Sequence, residues 1–373
     1  MEKVMSRKLI TISTIMTLMS TSIMADAPNV AADIAPIHSL VSKVMDGVGE
    51  PKLVIQSGAS PHGYRLRPSE AKALQDANLI FWMGEELTPW LDGAIDTLAS
   101  NASVTSLLDQ EGVVLHEFRE GALFEAHDHS AHDDHDDHKD HDDHDDHDDH
   151  DDHDDHDDHD DHDDHDDHDD HKDHDDHDDH DDHDDHDDHE DHDDHDDHDD
   201  HGHGAHDPHA WLSPENAKLW LNIIASKLSV ADPENAATYF TNAAAGQAEI
   251  EEMISEVSAT LKPVKGGKFV VFHDAYQYFE NDFDFYASGA ISLSDASDPS
   301  PARIAKIQKR IRDEGIQCVL AEPQFKQGLV ATVMEGSEAT ASVIDPLGTD
   351  IKPGPKLYTQ LIKNMAKTFR DCF

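Results

Sequence analysis

The sequence predicts an α/β protein of two lobes with mostly parallel sheets, a long linking helix, a cleft between the lobes and one disordered insert. Short apolar strands alternate with helical patterns before the insert, and again after it, as in βαβ units, so each of these two regions predicts one lobe. The linking helix is predicted because residues 232–262 form a helical stretch without a breaker.

The N-terminal lobe is expected to comprise residues 26–126 and 207–231. Its expected strands are residues 29–35, 52–56 and 79–83, and its expected helices are residues 37–45, 68–77 and 87–98. A further helix should start at Ser213-Pro214-Glu215, which combines a cap residue, a proline at the first helical position and an acid, and should continue to about Val230.

The linking helix starts with the same signal, Asp232-Pro233-Glu234, and should continue to about Leu261. At 1.5 Å per residue, such a helix is about 45 Å long, which exceeds the width of a small domain. Residues 232–262 are therefore expected to join the two lobes.

The C-terminal lobe is expected to comprise residues 263–373. Its expected strands are residues 268–272, 285–287, 318–320 and 341–344, and its expected helices are residues 300–314, 328–336 and 356–373. Folds of this kind bind ligands at the carboxyl ends of their strands, so we expect the cleft there.

The insert between Asp128 and His201 consists almost entirely of the triplet His-Asp-Asp. It holds 45 acidic residues and two lysines, so the other 299 residues carry only −13 of the total charge of −56. Its one apolar side chain, Ala131, cannot offset the entropy of ordering, and residues 127–206 are expected to be a disordered loop. No cluster of basic residues outside the insert could neutralise the phosphates of a nucleic acid, which argues against nucleic-acid binding.

The imidazoles and carboxylates of this loop are ligands for borderline divalent metals, above all zinc. Each site should be weak, because its ligands must be ordered on binding. The loop is therefore expected to be an accessory zinc binder, and a low-complexity expansion without a role is the alternative.

Residues 1–25 resemble a secretory signal peptide, with a basic start, a short apolar stretch and a cleavage site before Asp26. A membrane anchor is the alternative, but the apolar stretch is too short to span a bilayer. No cysteine lies near this site for lipid attachment, so we expect the mature protein to be free in a bacterial periplasm.

Cys318 and Cys372 are the only cysteines. In an oxidising compartment, an even pair predicts one disulfide, with two free thiols as the alternative. A disulfide would leave no sulfur for a metal.

Three histidines and one aspartate lie where strands or helices are expected to end: His62, His209, His273 and Asp345. His62 and His209 would come from the first lobe and the other two from the second. Three imidazoles and a carboxylate suit tetrahedral zinc, whereas manganese favours more oxygen ligands. His38 and His116 lie in apolar patterns and are expected to be structural.

These positions belong to longer motifs: Gly58–Arg67, Asp207–Pro214, Val271–Phe279, Ala321–Phe325 and Asp345–Thr349. With them, essentially the whole mature chain resembles the periplasmic zinc-binding proteins of ABC importers, the ZnuA type within the cluster 9 group. The charged histidine-rich loop also lies where that family places it.

The resemblance implies high-affinity capture of Zn(II) and its delivery to an ABC permease in the inner membrane, by a monomer that catalyses no reaction. It implies zinc ligands at His62, His209 and His273, and Asp345 matches a ligand of related members. Some zinc members place a glutamate where this chain has Pro61, so the fourth ligand is expected to be Asp345 or water. The cysteine pair matches a disulfide of the zinc branch.

Two other functions stay open at this point. Three protein ligands and a water also describe a secreted zinc hydrolase, with Glu322 or Asp274 as its base, although no HExxH motif is present. A metal-storage protein with all of its binding in the loop is the third hypothesis.

Overall fold

A computed structural model describes residues 27–119, 124, 206–292, 299–324 and 327–373. All of them belong to one unit of the chain, formed by residues 1–126 and 201–373. The expected signal peptide, residues 1–25, and all but one residue of the expected loop, residues 127–206, lie outside the described residues.

The first half of the described chain forms a four-stranded parallel sheet with the order β2-β1-β3-β4. The strands are β1 (Val30–Ala32), β2 (Lys52–Leu53), β3 (Leu79–Trp82) and β4 (Ser103–Ser106). The helices between them are α1 (Ala35–Val44), α2 (Pro68–Gln75) and α3 (Pro89–Leu98). Strand β4 was not predicted, because this sheet-edge strand is mostly polar and gives no apolar pattern.

Two helices follow, α4 (Pro214–Ala231) and α5 (Ala236–Leu261). The predicted cap of α4 is present, since Ser213 Oγ accepts a hydrogen bond of 3.2 Å from the Asn216 N–H. Helix α5 starts later than predicted, because Pro233–Asn235 form a short 3₁₀ turn. Its 26 residues span about 39 Å, and it packs against α1 and α4 as well as against α9 near the end of the chain.

The second half forms another four-stranded parallel sheet with the order β6-β5-β7-β8. The strands are β5 (Phe269–His273), β6 (Ala290–Ser292), β7 (Cys318–Ala321) and β8 (Thr340–Val343). The helices are α6 (Gln277–Phe283), α7 (Pro301–Glu314), α8 (Gln327–Met334) and α9 (Leu357–Cys372). The two parallel sheets confirm the predicted two-lobe α/β fold.

The predicted strand at residues 285–287 is wrong, because the strand beside β5 is β6, three residues later. The Phe285 ring instead packs against Phe269 and Phe369, with centroid distances of 5.1 and 5.0 Å. The apolar pattern at 285–287 thus comes from a loop buried in the core. The short helix α6 was not predicted either.

One large apolar core extends through both halves of the described chain, and a smaller cluster lies on one face of the second sheet. The large core includes Ile37 of α1, Trp220 of α4 and Phe369 of α9, all of them fully buried. No described helix combines the length and the apolar character that crossing a membrane requires.

Buried hydrogen bonds join the two halves, and we call this set of contacts the interlobe seam. Ser39 Oγ donates to the Gly354 carbonyl at 2.7 Å and accepts from the Tyr358 N–H at 3.0 Å. Trp211 Nε1 donates to the Pro346 carbonyl at 2.8 Å, and the Tyr358 hydroxyl donates to the Trp211 carbonyl at 3.0 Å. Buried bonds of this kind are costly to break, so the seam restricts how far the halves can separate.

The predicted disulfide between Cys318 and Cys372 is present. It connects β7, a central strand of the second sheet, with the last turn of α9. The final helix is thereby held covalently to the sheet that it covers.

Removal of this disulfide should lower the free energy of unfolding by about 4 kcal/mol, because the bond closes a long loop in the unfolded chain. The double variant Cys318→Ser/Cys372→Ser and the unaltered chain would be unfolded in urea, each with and without a reductant. We expect the reductant to shift only the unaltered chain. An unfolding midpoint that is the same in both chains and both conditions would contradict this role.

Candidate metal centre

The structure brings three of the four predicted site residues together. One nitrogen from each of His62, His209 and His273 lies within 4.8 Å of the others. Among the described residues, these form the one cluster of three or more potential ligands that could hold a metal ion. His62 is half-buried, and the other two are buried.

His273 is the last residue of β5, and a carboxylate from the neighbouring strand holds its ring. Glu322 directly follows β7, and its Oε1 lies 2.5 Å from His273 Nδ1. The second carboxylate oxygen accepts a bond of 2.8 Å from Gln324 Nε2. Because Glu322 is only 2% exposed, we assign the Nδ1 proton to His273, which directs Nε2 into the site.

His209 is held in the same way by a carboxylate two residues earlier. Asp207 Oδ1 accepts the backbone N–H of His209 at 3.0 Å and lies 2.6 Å from its Nδ1. Burial raises the pKa of Asp207 to about 6, against the lowering effect of the His209 N–H and the Arg119 guanidinium. The Asp-Pro-His sequence therefore fixes this ring locally, within one tight turn.

The Nε2 atoms of His209 and His273 then face each other at 3.3 Å. Two nitrogen ligands of a tetrahedral zinc ion, each at its usual bond length, are separated by about 3.3 Å. The distance between the two nitrogens is therefore the distance that zinc requires.

His62 completes the cluster from the loop between β2 and α2. Its ring centroid lies 5.4 Å from that of His209. The loop is held beside α3, where Trp90 Nε1 donates to the Pro61 carbonyl at 2.7 Å. As the half-buried member, His62 lies on the more open side of the cluster.

Asp345 lies after β8 and is not part of the three-histidine cluster. Its Oδ1 accepts the N–H groups of Leu347 and Gly348 at 2.9 and 3.0 Å, and its Oδ2 accepts the N–H and hydroxyl of Thr349 at 2.5 and 2.7 Å. This carboxylate is held within its own turn, at the same edge of the sheet as Glu322.

His38 and His116, the two histidines that were expected to be structural, contact neighbouring residues outside the three-histidine cluster. His38 Nε2 lies 3.1 Å from the Pro51 carbonyl. The His116 ring packs against Tyr278, with a centroid distance of 4.6 Å, and its Nε2 lies 3.2 Å from Asn281 Nδ2.

A buried ion cluster lies directly behind His273. The Arg119 guanidinium donates to Asp274 and Glu280, with Nε 3.0 Å from Asp274 Oδ1 and Nη1 2.6 Å from Glu280 Oε2. Burial raises the pKa of both carboxyl groups, and the guanidinium opposes this rise. The cluster anchors the segment before the His/Asp-rich loop to the strand that carries His273.

Sequence reasoning did not identify Asp207 and Glu322 as the groups that orient the histidines. Asp207 could have been recognised from its position two residues before His209. The role of Glu322 has no local signal, because its partner is 49 residues away along the chain. The same applies to Arg119 and its carboxylates.

Known proteins resemble this chain in sequence and in fold. A family model described as the periplasmic component A of a zinc-uptake complex matches residues 30–372. The high-affinity zinc uptake system protein ZnuA of Brucella abortus (strain 2308) is 44% identical over 352 residues, covering 94% of this chain and 93% of that protein.

Two solved structures share the fold. The crystal structure of ZnuA gives a TM-score of 0.63 at 19% identity and covers 93% of this chain and 99% of its own. The binding protein FpvC of Pseudomonas aeruginosa, solved with Mn²⁺, gives 0.62 at 14% identity and covers 93% of this chain and 98% of its own.

Replacing Arg119 with methionine should destabilise the protein by about 3–5 kcal/mol near neutral pH, because two buried carboxylates lose their counter-ion. Loss of the guanidinium leaves the folded-state pKa of Glu280 further above its unfolded value, so stability falls as pH rises. Urea unfolding at pH 5 and pH 8 should therefore show the larger loss at pH 8.

The exposed arginine directly before α2 provides the control for this test. Arg67→Met removes an ion pair of 4.0 Å to Glu70 from a side chain that is 68% exposed. We expect a loss of at most about 1 kcal/mol at either pH. Equal losses in the two variants, or a larger Arg119→Met loss at pH 5, would contradict the assignment.

Proposed function

This chain belongs to the family of periplasmic zinc-uptake components typified by ZnuA, and on that premise we propose that it captures Zn(II) with high affinity for import by an ABC permease. The observation that carries the proposal is the separation of 3.3 Å between the Nε2 atoms of His209 and His273, in a cluster that His62 completes. Zinc is the cargo, and no reaction is required of the protein.

The proposed ligands are His62, His209 and His273, each through one ring nitrogen. Asp345 or a water molecule would supply the fourth, oxygen ligand. Asp207 and Glu322 support this assignment, because hydrogen-bonding partners on the second ring nitrogen orient histidine ligands and increase their basicity. Carboxylates so close to the rings also favour a cation at the site.

Delivery requires that the bound ion be released, and the structure suggests how. His209 precedes α4 in the first half, whereas His273 ends a strand of the second half. We propose that docking on the permease moves these two ligands apart by a small amount. The interlobe seam and the shared core favour a small displacement over a wide opening.

The proposed place of action is the periplasm, with a cognate permease in the inner membrane as the partner. The protein would reach it through the signal peptide expected at residues 1–25 and act as a free monomer. The loop of residues 127–206 would be an accessory binder, with many weak sites tethered beside one strong site.

The two residues that a hydrolase would need as a base have other contacts. Glu322 Oε1 lies 2.5 Å from a ring nitrogen of His273, and Asp274 accepts hydrogen bonds from Arg119. Both carboxylates therefore support the site rather than activate a water at its centre, which favours cargo binding over catalysis.

Deletion of residues 128–201 should leave one tight zinc site intact, and His273→Ala in the shortened chain should abolish it. Zinc affinity would be measured by competition with a chelator, after circular dichroism has shown that each variant is folded. The control is His38→Ala, which removes a buried histidine outside the cluster and should leave the tight site in place. If the deletion alone removes tight binding, the loop is the binding region and the protein stores metal.

The choice of metal gives a second test. Three nitrogen ligands should favour zinc over manganese, which prefers more oxygen ligands. In the shortened chain, an equal concentration of Mn(II) should displace little zinc when metal content is measured after dialysis against both ions. Full displacement of zinc would show that the cluster is a manganese site.

A further inference from the structure

Asp207, whose Oδ1 holds the ring of His209, is itself held by the other half of the chain. The residue is buried, with 1% of its surface exposed. Its N–H donates to the His116 carbonyl at 2.8 Å. Its carbonyl and its second carboxylate oxygen lie against α6, which begins four residues after His273. The support of one proposed ligand thus comes from the segment that follows another.

Tyr278 of α6 fixes the backbone of Asp207. Its buried hydroxyl donates to the Asp207 carbonyl at 2.8 Å and accepts the His116 N–H at 3.1 Å. Its ring also packs against that of His116, with a centroid distance of 4.6 Å. One hydroxyl therefore joins the two backbone segments that meet beside His209, and buried bonds of this kind are costly to lose.

Gln277, the first residue of α6, fixes the carboxylate of Asp207. We assign the amide nitrogen of Gln277 to the side of this carboxylate, because the reverse orientation turns the amide oxygen toward acceptors. In this orientation the nitrogen donates to Asp207 Oδ2 at 3.3 Å and to the Glu117 carbonyl at 3.1 Å. The oxygen opposite the one that holds His209 is thereby held from α6.

Both carboxylate oxygens of Asp207 are then in use, which makes this group a rigid link. Its Oδ1 accepts the His209 N–H at 3.0 Å and lies 2.6 Å from Nδ1, so a rotation that releases Gln277 also turns Oδ1 away from the ring. The orientation of that ring in turn sets the separation of 3.3 Å between Nε2 of His209 and Nε2 of His273. The contacts of α6 therefore affect the distance between two proposed zinc ligands.

We propose that Gln277 and Tyr278 are positioning residues for zinc binding, which hold the ring of His209, through Asp207, at the distance from His273 that the ion requires. Helix α6 then connects the two ligands in addition to the interlobe seam. Without these contacts the ring of His209 can turn, so the ion is bound less tightly. This inference rests on the proposed function, because it requires that the cluster hold zinc.

The double variant Gln277→Met/Tyr278→Phe tests this role, because it removes the two donors and nearly keeps the shape of both side chains. The affinity for the first equivalent of zinc would be measured by competition with a chelator. It should fall by at least about 10-fold, as is usual when a group that supports a metal ligand is lost. Zinc should also leave the tight site faster when an excess of chelator is added.

Cobalt(II) provides a readout that a loss of stability alone would not change. One equivalent of cobalt in the tight site gives visible absorption bands that report the geometry and the ligands of the ion. The double variant should shift these bands, because the ring of His209 is no longer held in one orientation.

Tyr239→Phe is the matched control. Tyr239 is also fully buried, and its hydroxyl donates to Asp232 Oδ2 at 2.7 Å, between the end of α4 and the start of α5. Both Tyr239→Phe and Tyr278→Phe should lower the thermal unfolding temperature, because each leaves a buried acceptor without its donor. Only Tyr278→Phe should lower the affinity for zinc.

A third substitution shows whether the effect passes through Asp207. In an Asp207→Ala background, where the carboxylate is absent, the double variant should cause little further loss of zinc affinity. In a Glu322→Ala background, which removes the support of His273 instead, the double variant should keep its full effect. Residues that act through one network show such non-additivity, whereas independent residues do not.

Zinc affinity and the cobalt spectrum separate the outcomes. The inference is overturned if the double variant keeps the affinity and the spectrum of the unaltered chain while His273→Ala loses the tight site. It is also overturned if the loss of affinity is as large in the Asp207→Ala background as without it. If Asp207→Ala does not fold, the cobalt spectrum of the double variant decides alone. If the unaltered chain has no tight site, the proposed function fails, and the inference fails with it.

Discussion

Two imidazole nitrogens that face each other at 3.3 Å are the constraint on which the described site depends. Asp207 and Glu322 hold the opposite nitrogens of His209 and His273 at 2.6 and 2.5 Å. With the protons on Nδ1, both Nε2 atoms direct an acceptor lone pair into the same buried space, which favours a cation between them. The site is therefore arranged for a cation before one binds, and these two side chains need little rearrangement.

The interlobe seam keeps these nitrogens at that distance. Trp211, two residues after His209, bonds to the carbonyl of Pro346, the residue after Asp345. Tyr358 of α9 bonds in turn to the carbonyl of Trp211. A displacement of the half that carries His209 relative to the half that carries His273 therefore strains buried hydrogen bonds and a shared apolar core. We infer that capture is stabilised by the fold, and that release depends on work done by a docked partner.

The sequence predicts the parallel sheets and the positions of the three histidines, because buried strands are apolar and strand ends are marked by polar residues. It does not predict β4, whose residues are mostly polar, or α6, which has only seven residues. It misplaces β6 because a buried loop at Phe285 has the pattern of a strand. The pairing of His273 with Glu322 also escapes prediction, since it depends on which strands become neighbours. Local signals suffice only for contacts such as that between Asp207 and His209.

We infer that one ion binds between Nε2 of His209 and Nε2 of His273, with His62 as the third nitrogen ligand. A crystal structure of the protein with one equivalent of zinc tests this most directly, through the anomalous scattering of the metal. We expect one strong peak at about 2.0–2.1 Å from a nitrogen of each histidine, while the Nδ1 atoms of His209 and His273 keep their carboxylate partners. A main peak elsewhere, or coordination of His209 or His273 through Nδ1, would contradict it.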